Sequence, residues 1–262
     1  MPVRKRFGQH FLHDPGVIRR IIDAMAPAPG ERIVEIGPGR GALTWGLLER
    51  AKRLDVIEID RDLAQALESD PRAKNGLQVH LQDALDTDFV GLRGTGEPLR
   101  VVGNLPYNIS TPLLFRLLAQ RAAISDMYFM LQKEVVDRMA AKPGTKDYGR
   151  LTVMLAAVAE VEGLFDVGPG AFQPRPKVWS AIVHLRPTAS PRFDMGREGV
   201  LRTLVTTAFS HRRKTLRNSL KGLLSSQDIE SCGIDPQLRP ETLAPSQFGM
   251  LAAHYSRLVG YT

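Results

Sequence analysis

The chain has 262 residues, of which 43% are hydrophobic and 24% are charged, a composition typical of globular proteins. No apolar run approaches the length of a membrane span, which argues against a membrane protein. The formal net charge of +7 and the pI of about 9.7 favour polyanionic partners.

The N-terminal sequence and the cysteine content predict a cytoplasmic protein. The first twelve residues, MPVRKRFGQHFL, are basic but lack the apolar segment of a secretory signal. The single cysteine, Cys232, excludes an internal disulfide framework. A reducing compartment is the expected location.

Five short β-rich runs alternate with segments of helical spacing. In chain order they are RIVEIG (32–37), RLDVIEID (53–60), LQVHL (77–81), LRVVGN (99–104) and DMYFML (126–131). This alternation predicts a doubly wound, mostly parallel sheet, because parallel strands need crossover connections. Residues 165–187 contain strand runs without helices between them and predict an antiparallel pair at the sheet edge.

The last part of the chain has only helical spacing. Residues 187–194, PTASPRFD, form a linker rich in Pro and Ser. Beyond them, one predicted helix carries apolar residues at 201, 204, 205 and 208, and the next at 216, 220 and 223. We therefore expect a ligand-binding α/β domain over residues 1–187 and a small all-helical domain over 188–262.

The sequence VEIGPGRGALT (34–44) lies between a predicted strand and a predicted helix. Gly37, Gly39 and Gly41 permit a tight turn and close approach of a ligand to the backbone, and the helix N-terminus offers free N–H groups. The pattern also satisfies the dinucleotide fingerprint G-x-G-x-x-A. A nicotinamide cofactor and S-adenosylmethionine both fit this loop.

Two acidic residues extend the predicted pocket. Glu58 ends the second strand, where a carboxylate can accept from both hydroxyls of a ribose, and Asp83 follows the third strand, where it can accept from an adenine amine. The alternative for either acid taken alone is a solvated turn, and it is less favoured for Glu58 than for Asp83. Together they predict an adenosine pocket across the carboxyl ends of the first three strands.

The sequence GNLPYNIS (103–110) follows the fourth predicted strand, beside the glycine loop. Asn-X-Pro is ordinary turn chemistry, and a Tyr at a strand end is usually core. Hydride transfer gives no reason for an amide, a backbone carbonyl and an aromatic ring at this point. Methylation of an adenine N6 does give one, which favours S-adenosylmethionine over a nicotinamide cofactor.

The adenine N6 amine is a poor nucleophile because its lone pair is delocalised into the ring. The Asn104 side-chain oxygen and the Leu105 carbonyl can each accept from the amine and favour a pyramidal nitrogen. Pro106 holds the backbone that presents the carbonyl, and Tyr107 can stack on the extruded base. The sequence contains no metal ligand set, so we expect direct displacement that depends on positioning.

A window without acidic residues spans 199–227. Arg213, Arg217 and Lys221 are spaced i, i+4, i+8, with the apolar positions 216, 220 and 223 on the opposite side of the predicted helix. Such a run is often only a solvated face. A basic stripe on one helix face also suits an RNA backbone.

Several motifs together resemble the bacterial small-subunit rRNA adenine dimethyltransferases. They are RFGQHFL, EIGPGRGALT, EID, QDAL, GNLPYNISTPLLF, FMLQKEV, YGRLTV, FQPRPKVWSAIVHL and AFSHRRKTLRNSL, in order along nearly the whole chain. The resemblance implies a Rossmann-like class I methyltransferase fold with a helical C-terminal domain. It implies dimethylation of two adjacent adenosines in the 3′-terminal hairpin loop of 16S rRNA during small-subunit assembly, with S-adenosylmethionine as donor.

The resemblance also implies roles for individual residues. The implied cofactor contacts are His10, Leu12, Gly37, Glu58, Asp83 and Asn104, and the glycine pattern adds Gly39. The implied active-site residues are Asn104, Leu105, Pro106, Tyr107 and Phe172, and Phe172 can equally be a loop anchor. The charge pattern predicts Arg212, Arg213, Lys214, Arg217 and Lys221 as RNA contacts. The resemblance agrees, because this segment separates the small-subunit enzymes from the related macrolide-resistance methyltransferases. The family often has Asn where this chain has His10, so we expect the backbone of residue 10 to carry its contact.

Three hypotheses follow from the sequence. The first is an rRNA adenine N6-dimethyltransferase that acts as a monomer on 16S rRNA in the immature small subunit. The second is a non-catalytic RNA-binding assembly factor, which leaves the Asn104–Tyr107 motif without a purpose. The third is a nicotinamide-dependent oxidoreductase, which explains neither that motif nor the basic segment.

Overall fold

The computed structural model describes residues 10–106, 109–197, 199–211 and 213–261. The chain forms two compact units. The first contains the residues up to Val136 together with Glu162–Pro187, and the second contains Asp137–Val161 and the residues from Thr188 onward.

The main sheet has seven strands among the described residues, in the order β4-β3-β2-β5-β6-β9-β7. Its strands are β2 (Ile33–Ile36), β3 (Leu54–Glu58), β4 (Leu77–Leu81), β5 (Leu99–Asn104), β6 (Ile124–Gln132), β7 (Ala159–Val167) and β9 (Ser180–Pro187). Each neighbouring pair from β4 to β6 is parallel, and β9 is antiparallel to β6. A separate two-stranded antiparallel sheet joins β1 (Phe11–Leu12) to β8 (Phe172–Gln173).

The helices connect these strands and form most of the second unit. The α-helices are α1 (Pro15–Met25), α2 (Thr44–Ala51), α3 (Arg61–Glu68), α4 (Phe89–Arg93), α5 (Ser110–Ala119), α6 (Lys133–Met139), α7 (Arg150–Ala156), α8 (Val200–Phe209), α9 (Leu216–Ser219), α10 (Ser226–Ser231) and α11 (Pro245–Leu258). Within the described ranges, none of the helices is long and apolar enough to cross a membrane.

The predicted α/β class is confirmed. Strands β2 and β3 are buried at every residue, as expected for strands covered on both faces of a parallel sheet. All five predicted strand runs coincide with β2 to β6, and the antiparallel β9 follows them.

The second unit has its own apolar cluster. Leu201, Leu204 and Val205 of α8 are buried in it together with Tyr148 and Val153. The Tyr148 hydroxyl donates to the Leu243 carbonyl at 2.7 Å, and this bond ties the unit's two chain segments together. The second unit comprises residues 137–161 together with those from 188 onward, whereas the sequence pattern assigns 137–161 to the first domain.

The helix predicted through the basic segment is wrong. Helix α9 is a single turn, and Arg213 and Lys214 precede it. The Leu216 N–H donates to the Leu238 carbonyl at 2.8 Å, and the Arg217 N–H donates to the Pro236 carbonyl at 2.9 Å. The N–H groups of the first turn thus bond to distant carbonyls rather than to a preceding helical turn. Arg213, Arg217 and Lys221 consequently do not share one helix face.

Candidate active site

A cavity of about 360 Å³ opens at the carboxyl ends of strands β2 to β5. This is the edge at which a doubly wound sheet binds its ligands. The predicted site residues that line it are His10, Leu12, Gly37, Gly39, Glu58, Asp83, Asn104, Leu105 and Pro106. The structure thus brings together most of the predicted cofactor and active-site residues.

The glycine loop has the backbone conformation that its sequence predicts. Gly37, Gly39 and Gly41 have φ angles of +66°, +58° and +81°, which residues with a side chain rarely adopt. A Cβ added at Gly39 would lie 3.2 Å from the Phe11 ring, and one added at Gly41 would lie 2.6 Å from Nε1 of Trp45. Gly37 and Gly39 line the cavity, and their backbone is open to a ligand because neither carries a side chain.

Glu58 is a buried carboxylate at the end of β3, with 5% of its surface exposed. Its two oxygens accept from the N–H groups of Gly39, at 3.2 Å, and Asp60, at 2.9 Å. Burial raises the pKa of Glu58, while these backbone donors oppose the shift. The carboxylate is thus fixed against the glycine loop, in position to accept from ligand hydroxyls.

Asp83 lies at the adjoining end of β4, half-buried at the cavity wall. Its Oδ1 accepts from the Leu85 N–H at 2.8 Å, which fixes the carboxylate in a turn. Gln82, which the sequence reading missed, lies beside it in the cavity lining. The predicted acceptor for an adenine amine is therefore available at the cavity.

Asn104 is held by a backbone contact from the start of the described chain. Its Nδ2 donates to the His10 carbonyl at 3.2 Å, and His10 in turn donates from Nδ1 to the Pro174 carbonyl at 2.7 Å. Because the amide nitrogen is engaged, Oδ1 is the Asn104 atom that can accept a hydrogen bond from a substrate amine. The contact made by residue 10 to Asn104 uses its backbone, so it does not depend on the His side chain.

The backbone around Asn104 is tightly fixed. A Cβ at Gly103 would lie 2.5 Å from the Ile36 carbonyl, so only glycine fits against β2 at that point. The Leu105 side chain is buried, and its N–H donates to the Met130 carbonyl at 3.2 Å. The fourth residue of the motif, Tyr107, lies outside the described residues.

Glu35 is the main site residue that the sequence reading missed. It is buried in the middle of β2, lines the cavity, and accepts from the Thr44 hydroxyl at 2.6 Å. Burial raises its pKa from 4.5 to about 8, against the hydrogen bond from Thr44, and the nearby Glu58 adds to the rise. A lone acid in the otherwise apolar strand IVEI (33–36) was the signal that could have found it.

Phe172 is placed differently from the predicted base-lining aromatic. It is 2% exposed, pairs with Leu12 across the small sheet, and packs in the main apolar cluster. It is not among the described residues that line the cavity. These contacts support the alternative interpretation, a loop anchor.

The basic segment lies in the second unit. Arg213, Lys214, Arg217 and Lys221 are all exposed, and Arg212 lies outside the described residues. The side chains of Leu216 and Leu220 are buried beneath the segment. The segment therefore presents cations on an apolar support, although not as a helical stripe.

The cavity residues fit S-adenosylmethionine. The side-chain-free glycine backbone can approach a ligand closely, and the buried Glu58 carboxylate lines the same space. Asp83 and Asn104 add acceptors on either side of the loop, at the ends of β4 and β5. Ile36, Ile57 and Leu43 supply the apolar walls that an adenosine needs.

Comparison with known proteins gives a consistent result. The family model for ribosomal RNA adenine dimethylase matches residues 2–255. The chain is 55% identical over 257 residues to the ribosomal RNA small subunit methyltransferase A of Pseudomonas aeruginosa, covering 98% of this chain and 96% of that protein. It is 51% identical to the protein of the same name from a Marinomonas species, with 98% and 97% covered.

Two solved structures share the fold over nearly the whole chain. A dimethyladenosine transferase from Plasmodium falciparum has a TM-score of 0.76 at 28% identity, with 92% of this chain and 96% of that chain covered. The 23S rRNA methyltransferase ErmE has a TM-score of 0.71 at 28% identity, with 93% and 98% covered.

Proposed function

The chain belongs to the ribosomal RNA adenine dimethylase family, and from this premise we propose that it methylates two adjacent adenosines in the 3′-terminal hairpin loop of 16S rRNA. It is an S-adenosylmethionine-dependent rRNA adenine dimethyltransferase with the class I methyltransferase fold. The nicotinamide hypothesis is therefore wrong. The names of the bacterial relatives, which specify the small subunit, support the choice of 16S rRNA.

The observation that carries the proposed chemistry is the hydrogen bond from Asn104 Nδ2 to the His10 carbonyl. It fixes the amide so that Oδ1 can accept from the target amine. The buried Leu105 and the following Pro106 hold the backbone that offers the second acceptor, the Leu105 carbonyl. Two acceptors on one amine direct its lone pair away from the adenine ring, which makes the nitrogen nucleophilic.

The remaining site residues bind and orient. When bound, S-adenosylmethionine supplies a methyl group on a positively charged sulfur. We assign its ribose hydroxyls to Glu58, its adenine amine to Asp83, and its close backbone contacts to Gly37 and Gly39. Catalysis then consists of positioning, because the direct displacement needs no general base with a tuned pKa.

Target choice requires a second region. A pocket that takes one extruded adenine cannot distinguish among the many adenines of an rRNA. We propose that the exposed cations of the basic segment bind phosphates of the immature small subunit and position the enzyme on it. We further propose that the enzyme acts as a monomer in the cytoplasm, during subunit assembly.

The test is methyl incorporation into purified small and large subunits from a strain that lacks this modification. The expected result is dimethylation of two adjacent adenosines near the 3′ end of 16S rRNA, mapped by mass analysis of nuclease fragments. An Asn104→Ala enzyme serves as the inactive control. Incorporation into 23S rRNA instead, the substrate named for the structural neighbour ErmE, would overturn the proposed target.

A further inference from the structure

An exposed tryptophan stands at the same sheet edge as the active site. Trp179 immediately precedes β9 and has 56% of its surface exposed. Its carbonyl accepts from the Lys133 N–H at 2.9 Å, which extends the β6–β9 pairing by one residue beyond Gln132 and Ser180. The backbone of Trp179 is therefore held by a hydrogen bond that continues the strand pairing.

The register places Trp179 near Asn104 without bringing it into the cavity. Asn104 pairs with Met130 on β6, and Met130 pairs with Ile182 on β9. Two strand spacings separate Asn104 from Ile182, about 10 Å, and three residues along β9 place Trp179 about 10 Å further in the perpendicular direction, so the two Cα atoms lie about 14 Å apart. That separation suits a nucleotide beside the target rather than the target adenosine.

The residues before Trp179 are basic and exposed. The loop Gln173–Trp179 has the sequence QPRPKVW, in which Arg175 and Lys177 are exposed. No acidic residue occurs between Val167 and Phe193. Asp166, just before this stretch, is paired with Lys133 at 3.1 Å, so its charge is offset.

The side chains of Trp179 and Arg175 lie close to two glycines next to the loop. A Cβ added at Gly168 would lie 3.7 Å from the Trp179 ring, and one added at Gly170 would lie 3.8 Å from the Arg175 guanidinium. Both side chains thus rest over a backbone that carries no side chains of its own there. Pro174, in the same loop, accepts from His10, which in turn holds Asn104. The loop is thus linked to the active site through His10.

We propose that the loop Gln173–Trp179 binds single-stranded RNA next to the target adenosine, with a base stacked on Trp179 and phosphates bound by Arg175 and Lys177. Fixed aromatic rings flanked by cations are the common means of binding unpaired nucleotides. An adenosine that leaves its stack exposes its neighbours, and these supply the base for the indole. The inference rests on the proposed function for the identity of the RNA, but not for the mode of binding.

The first experiment measures binding without reference to the natural target. The probe is a single-stranded oligoadenylate, titrated into the wild-type protein and the Trp179→Ala, Trp179→Phe and Trp179→Leu variants. Loss of a base–aromatic stack should raise the Kd of the Ala and Leu variants by about 5-fold to 100-fold, while Phe retains most of the affinity. Phe115→Ala, which removes another exposed aromatic, 37% exposed on α5, is the matched control.

Tryptophan fluorescence gives a second readout. The chain has two tryptophans, so quenching by the oligonucleotide in wild type that disappears in Trp179→Phe reports stacking on residue 179. Equal quenching in both proteins, or equal affinity of the wild-type and Leu proteins for the oligonucleotide, would overturn the inference. A defect of Trp179→Ala on intact subunits without any defect on the oligonucleotide would also overturn it, because that result points to a protein partner.

Methylation kinetics separate this inference from the proposed function. On unmodified small subunits we expect Trp179→Ala to raise KM for the subunit with S-adenosylmethionine affinity unchanged. If the wild type is active and Trp179→Ala has the same kinetics, the loop does not contribute to RNA binding, and the proposed function still holds. If the wild type is inactive on small subunits but binds the oligonucleotide in a way that depends on Trp179, the proposed target is wrong and the RNA-binding role of the loop is supported.

Discussion

The cavity and the basic segment differ in how their polar groups are held. In the cavity, Glu58 and Asn104 are each fixed by hydrogen bonds to backbone groups, and Glu58 is buried. In the basic segment, Arg213, Arg217 and Lys221 are exposed around a one-turn helix. The first region can act through the position of single atoms, whereas the second can act only through the sum of several charges.

The two regions should therefore respond differently to salt. Buried groups are screened little by ions, while exposed charges lose most of their long-range interaction at physiological ionic strength. Changes in the cavity should alter turnover or cofactor affinity at every salt concentration. Changes in the basic segment should alter RNA affinity, and most strongly at low salt.

The largest effect is expected from Asn104→Ala. Removing a fixed acceptor at the reacting amine should lower kcat by about 100-fold to 1000-fold, with RNA affinity largely retained. Methyl transfer to small subunits at saturating cofactor and RNA measures this change. Asn75→Ala, an exposed asparagine far along the chain from the motif, is the control. Turnover close to wild type would show that the Oδ1 acceptor is not needed.

The next effect is expected from reversing three charges of the basic segment. The triple variant Arg213→Glu, Arg217→Glu, Lys221→Glu should keep the fold and the cofactor affinity. Its affinity for immature small subunits should fall by about 100-fold, and the slope of log K against log salt should decrease in magnitude by about 2 to 3. The concentration of small subunits that gives half-maximal methyl incorporation, determined across a salt series, measures the affinity and its salt slope.

A variant with the same change in net charge controls for general electrostatics. Arg19, Arg61 and Lys74 are exposed cations of the first unit, and replacing them with Glu alters the total charge equally. If both triple variants lose the same affinity and salt slope, net charge explains the result. The basic segment would then have no special role in docking.

These two regions also differ in how well the sequence predicted them. The cavity follows from strand order, because parallel strands bring their carboxyl ends to one edge, and the glycine spacing fixes the loop between β2 and α2. The hydrogen bonds from Asn104 to His10 and from His10 to Pro174 span 94 and 164 residues, so no local pattern could predict them.

The basic segment was mispredicted for a related reason. Its leucine spacing at 216, 220 and 223 favours a helix, and Leu216 and Leu220 are buried as that pattern requires. The N–H groups of Leu216 and Arg217, however, bond to carbonyls about twenty positions later in the chain, and Gly222 has a φ of +97° just after the turn. Tertiary contacts thus replaced the helix that local spacing predicted.

A smaller effect is expected from Glu58→Ala. Ribose hydroxyls would lose a charged acceptor, so S-adenosylmethionine binding should weaken by about 2 kcal/mol. Calorimetry on the folded variant measures this loss, and Glu68→Ala, an exposed acid at the end of α3, is the control. The weakening should be the same at low and high salt, unlike that of the charge-reversal variant. Unchanged affinity would remove Glu58 from the cofactor site.

The last prediction concerns stability rather than activity, at Glu35, whose burial raises its pKa from 4.5 to about 8. Between these pH values the folded protein holds a proton that the unfolded chain has lost. The contribution of Glu35 to stability is therefore complete below pH 4.5 and is lost as the pH rises toward 8. The Glu35→Gln variant cannot titrate at this position. Its free energy of unfolding should therefore fall less steeply as the pH rises through this window, by about 1 kcal/mol per pH unit compared with wild type.

Urea unfolding at several pH values between about 5 and 8 measures that slope. Glu49→Gln, at an exposed glutamate on α2, is the control for removing one carboxylate from the surface. The amide that Glu35→Gln introduces can still accept from the Thr44 hydroxyl, so the variant changes the titration while keeping the hydrogen bond. Parallel slopes for wild type and Glu35→Gln would mean that Glu35 ionises in the folded cavity as it does in water. Water would then reach Glu35 in the cavity as it reaches the side chains of the basic segment. The two regions would not differ in burial at this residue.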